Sequence, residues 1–68
     1  MNDPLTLIEK LNIAAPDDFY AELIAMHRGL SGEQSRLADA KLILLLANQV
    51  GDMEVLRQAM TAAREGVA

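Results

Sequence analysis

The chain has 68 residues, half of them hydrophobic, no cysteine and a net charge of −4. That length holds one domain at most, and a domain so small withdraws only about 60% of its unfolded surface from water, so its core usually needs a supplement. Without cysteine, disulfides and thiolate metal sites are excluded, and a pI near 4.6 with cations scattered from Lys10 to Arg64 argues against nucleic-acid or anionic-membrane partners.

Phe19 and Tyr20 are the only aromatic residues, so any core is aliphatic, and the abundance of Leu, Ala, Glu, Gln and Arg predicts an all-α domain spanning residues 1–68. The opening "MNDPLTLIEK" lacks the basic and then apolar character of a secretory signal. The longest wholly apolar stretch, Leu42 to Ala47, falls far short of the ~20 residues that cross a bilayer. A cytoplasmic protein is expected.

Asp3 and Pro4 suit a helix start, and Leu7, Ile8 and Leu11 repeat at helical spacing, which predicts a short first helix at about 4–12. Pro16, with Asp17 and Asp18 at the positive end of the helix dipole, opens a second at about 16–28. Its apolar face carries Phe19, Leu23, Met26 and Leu30, with Tyr20, Ile24 and His27 beside them. Gly29 suits a left-handed helix end with Leu30 folding back in a Schellman cap.

"SGEQ", from Ser31 to Gln34, has the form of a capping box and starts a third helix at about 32–50. So short a turn implies an antiparallel helical hairpin from Asp17 to Val50 as the frame of a bundle of about four helices. Gly51 stops the third helix, and Asp52 caps a fourth at about 53–65 that turns Val55, Leu56, Ala59, Met60 and Ala63 to the core.

Within the third helix Leu42 to Leu46 are five large aliphatic side chains in a row. At 100° per residue, Leu37, Ala40, Leu44 and Ala47 form one stripe, Ile43 and Val50 widen it, Leu42 and Leu46 carry it to the far side, and Leu45 with Ala38 lies beyond. Only a narrow sector with Gln34, Lys41 and Asn48 stays polar, the pattern of a central helix. Three short neighbours would have difficulty covering it on every side. The uncovered part is an apolar patch, which makes Leu42, Leu45, Leu46, Gln49 and Tyr20 the candidate interface.

His27 is the one histidine and hence a functional candidate, but its place in the last turn before Gly29 offers a plainer role as a positive charge or N–H donor at the helix end. Ile24 stands where a Glu-x-x-His pair would need its carboxylate, so no metal site is expected. Small acidic carrier proteins attach their group at a serine in an Asp-Ser-Leu motif, whereas Ser31 lies in "LSG" and reads as a cap. No nucleophile, base and orienter can be assembled, and no glycine-rich phosphate loop is present. Neither enzyme activity nor a cofactor is expected. Asn48 and Gln49 are amides that could set register at an apolar interface, and Asn48 fits equally a solvent-facing place on the polar sector.

The stretch from Asp17 to Met60, with "FY" at Phe19 and Tyr20, "HRGLS" from His27 to Ser31, and "LILLLAN" followed by "GD" up to Asp52, resembles the bacterial family catalogued as domain of unknown function 2783. That resemblance implies a compact helical domain in bacteria and carries no catalytic residue. A looser similarity of "LSGE" and "GD" to the small helical subunits of ring-cleaving aromatic dioxygenases motivates an accessory-subunit reading. The expectation is therefore a noncatalytic interaction module, either a homodimer or an accessory subunit of a larger protein. The alternative is a small binding protein whose aliphatic cavity, softened by Met26, Met53 and Met60, holds an apolar ligand.

Overall fold

The computed structural model describes residues 7–68. Among them the chain forms three helices, α1 (Pro16–Met26), α2 (Gly32–Val50) and α3 (Met53–Arg64), and no strand. The class is all-α as expected, but three helices replace the expected four. Asp3 and Pro4 lie outside the described residues, and residues 7–15 are not helical. A two-turn helix is too short to persist without packing, and Ile8, Leu11 and Ile13 are all exposed. Ala15, ahead of Pro16, takes φ −136° and ψ 73°, outside the helical region that proline disfavours in the preceding residue. The segment is instead tethered at its start, where the Leu7 N–H donates to Gln58 Oε1 at 3.0 Å.

Local chemistry accounts for the three helices. Pro16 occupies the first turn of α1 with Asp17 and Asp18 beside it, and no side chain caps the helix. Its end differs in detail from a Schellman cap. Gly29 is left-handed at φ 79°, but the N–H groups of His27, Arg28 and Leu30 donate to carbonyls three residues back, tightening the last turn. At α2 the capping box is complete: Ser31 Oγ accepts from the Gln34 N–H at 3.1 Å, and the Ser31 N–H donates to Gln34 Oε1 at 3.0 Å. Gly51 closes α2 at φ 73°, its N–H donating to the Ala47 carbonyl at 2.9 Å. Asp52 then caps α3 by accepting from the N–H groups of Glu54 and Val55 through Oδ1.

Packing between these helices is sparse. Only α2 and α3 bring Cα atoms within 8 Å of one another, so the expected closely packed hairpin of α1 on α2 is not formed. None of the described residues is buried. The most covered positions are half-buried: Leu23 on α1, Ala38 and Leu42 on α2, and Val55, Leu56 and Ala59 on α3. This departs from the expected orientation of α2. Leu37 and Leu44, on the stripe expected to face the core, are 59% and 70% exposed and only Ala47 of that stripe is half-buried, while Ser35, Ala38 and Leu42 mark a covered side opposite. Met60 and Ala63 of α3 are likewise exposed.

The consequence shows in the dimensions. The radius of gyration is 13.8 Å, against about 11 Å for a compact domain of this length. The accessible surface is 6125 Å², whereas a folded monomer of this mass exposes roughly 4,200 Å². Secondary structure is thus held by caps more than by a core. Replacing Ser31 with Ala should lower stability in urea unfolding by about 1 kcal/mol, with Ser31→Asp close to wild type, since Asp also caps. Gly51→Ala should be destabilising too. Its added Cβ meets nothing closer than 3.8 Å, so the cost is the left-handed backbone, which disfavours an L side chain by roughly 1–2 kcal/mol.

Candidate interaction surface

The one side-chain link from the end of α1 to α2 is built on the histidine. His27 follows the last residue of α1, so its Nδ1–H reaches back to donate to the Leu23 carbonyl at 2.8 Å, satisfying a group that the helix end leaves open. Its Nε2–H donates across to Asp39 Oδ1 on α2 at 2.6 Å. Asp39 shares a helical face with Ser35, Leu42 and Leu46, so this carboxylate sits at the edge of the covered side of α2. A lone acid at i−3 and i−7 from two leucines is a signal the sequence carried. Its partner, twelve positions earlier on another element, is not readable from spacing.

Both ring nitrogens act as donors in this arrangement, which is the imidazolium form. The His27 pKa is accordingly raised above its ordinary 6.5, first by the bond to the Leu23 carbonyl and then by the bond to Asp39 and that carboxylate's charge, with desolvation opposing. Both ring nitrogens are engaged by protein acceptors. The geometry suits a clasp between elements rather than acid–base work.

The candidate interface residues fall into two groups. Tyr20, Leu45, Leu46 and Gln49 are exposed, Leu45 at 69% and Leu46 at 51%. Leu42, the fifth, is half-buried on the side of α2 that also carries Asp39. Sequence reasoning passed over Ile43 and Leu44 as core, yet both are exposed. Uncovered apolar surface therefore runs almost around α2. On α3, Arg57 and Glu54, one turn apart, form an exposed pair at 3.2 Å, a kind that contributes little to stability.

An open groove of about 290 Å³ lies between the segment before α1 and α3, lined by Leu7, Glu9, Arg57, Gln58, Thr61 and Glu65 among others. Its walls are an even mixture of polar and apolar surface. Met26, Met53 and Met60 are exposed and do not line it, so it is not the aliphatic cavity expected for an apolar ligand. Among the described residues no three or more of His, Asp and Glu converge as a metal site, and no helix is long and apolar enough to cross a membrane.

The clasp predicts a pH dependence. A raised pKa in the folded state means that the protonated histidine adds stability fully present below the unfolded value near 6.5 and lost as pH rises through the folded value. The melting temperature should fall as pH rises from about 6.5 through the raised folded-state value, and Asp39→Asn and His27→Ala should each flatten that fall. A wild-type profile as flat as that of His27→Ala would remove the clasp.

No curated protein matches the chain, and no solved structure matches it. One family profile does, described as protein of unknown function (DUF2783), and it covers residues 7–65, from the tethered segment through all three helices. The chain therefore belongs to the DUF2783 family.

Proposed function

We propose that this chain is a noncatalytic interaction module of the bacterial cytoplasm, which reaches its stable form by self-association or as the accessory subunit of a larger protein. The observation that carries this reading is the accessible surface of 6125 Å², about 1,900 Å² more than a folded monomer of this mass exposes. Part of the excess belongs to the residues ahead of α1, where Ile8, Leu11 and Ile13 are exposed, and the exposed aliphatic side chains of α2, Leu37 and Ile43 to Leu46, contribute to the remainder. A standard protein interface removes about 800 Å² from each partner, and obligate dimers remove more. The excess is of the size that a partner covers.

The mechanism is burial of aliphatic side chains at roughly 25 cal/mol per Å². Nucleic acid and membranes are not the partners in this reading, because the acidic chain has no concentration of positive charge to meet phosphates. An apolar small ligand would need an enclosed site, and no observation favours one. Sedimentation equilibrium of the purified chain should return a multiple of 7.4 kDa, or the chain should copurify from its own bacterium with a larger protein at fixed stoichiometry. Leu46→Glu should dissolve the assembly and lower the melting temperature. A monodisperse 7.4 kDa species with a sharp thermal transition, unaltered by Leu46→Glu, would end the proposal.

A further inference from the structure

The exposed face of α2 has a pattern that selects one occupant. Leu37, Ala40, Leu44 and Ala47 are spaced three, four and three, the repeat of a coiled-coil seam in which large and small residues alternate. Leu37, Ala40 and Leu44 are exposed, Ala47 is half-buried, and Ile43 and Val50 lie exposed along one flank. The His27–Asp39 clasp engages the other side of the helix, so it leaves this face open.

From this we infer that α2 pairs with α2 of a second copy of the chain, antiparallel, about a two-fold axis that passes between Ala40 and Leu44; the inference rests on the self-association reading above and gives it a geometry. In that register Leu37 of each copy meets Ala47 of the other, and Ala40 meets Leu44. Every layer then sets one large side chain against one small one, which fills the seam evenly. A parallel pair would set Leu on Leu and Ala on Ala, alternately crowded and empty, and both faults are destabilising.

The flanks agree. Across the axis Ile43 meets Ile43 of the other copy, and Arg36 meets Val50. On the opposite flank Gln34 faces Asn48, two amides able to hydrogen-bond and hold register. Lys41 faces its own equivalent, an exposed like-charge pair that long side chains and salt screen. What a second copy covers in this pairing is the apolar area of Leu37, Ile43, Leu44 and Val50, which are 59%, 64%, 70% and 50% exposed in the single chain.

The absence of native cysteine makes the test direct. Single variants Ile43→Cys and Arg36→Cys, both at exposed positions, are oxidised in the full chain and run without reductant, with sedimentation and helicity measured alongside. In the antiparallel pair Ile43→Cys forms a linked dimer quickly. Arg36→Cys does not, because its two copies lie about 18 Å apart along the axis. Linking of neither variant in a chain that still sediments as a dimer overturns the inference and is the result of a parallel pair, whose two-fold axis puts this flank of the two copies on opposite sides of the seam; rapid linking of both overturns it too. A monomer by sedimentation overturns the self-association reading itself. Ala40→Glu should convert the dimer to monomer with helicity retained, and a dimer unchanged by it would also refute the pairing.

Discussion

One constraint governs this protein: a nineteen-residue helix that is apolar nearly all round, accompanied by two helices of eleven and twelve residues. Hydrophobic burial is the main favourable term in folding, and two short neighbours cannot provide it on every side of α2. Only one side of α2 is drawn inward, and the other remains as surface. The absence of a buried side chain among the described residues follows from this shortage of covering elements.

With so little core, the remaining order rests on hydrogen bonds of short reach. The capping box at Ser31, the left-handed glycine at 51 and the Asp52 cap succeed one another along α2 and into α3. They define where the helices begin and end without defining how they pack. The two longer connections, His27 to Asp39 and Leu7 to Gln58, act as clasps at the ends of elements. The helices have definite ends, while little packing fixes how they sit against one another.

This division gives the histidine a meaning different from the one its solitude suggests. Functional histidines keep a ring nitrogen available to a substrate or metal. His27 directs both inward, one to its own helix and one to α2. The membership in DUF2783 spans the same clasp, the caps and the leucine run together.

The sequence alone determined the helical class and the bounds of α1, α2 and α3 to within about two residues, because proline, the capping box, the glycines and the capping aspartate act through contacts no more than four residues apart. It misjudged the segment at 7–15, where a helical pattern had too few turns and nothing to pack on. It also turned α2 the wrong way, since a helix apolar nearly all round gives periodicity little by which to choose a covered side. Those choices belong to the tertiary structure. They depend on bonds such as His27–Asp39 and Leu7–Gln58, twelve and fifty-one positions apart, whose partners are brought together only by the path of the whole chain.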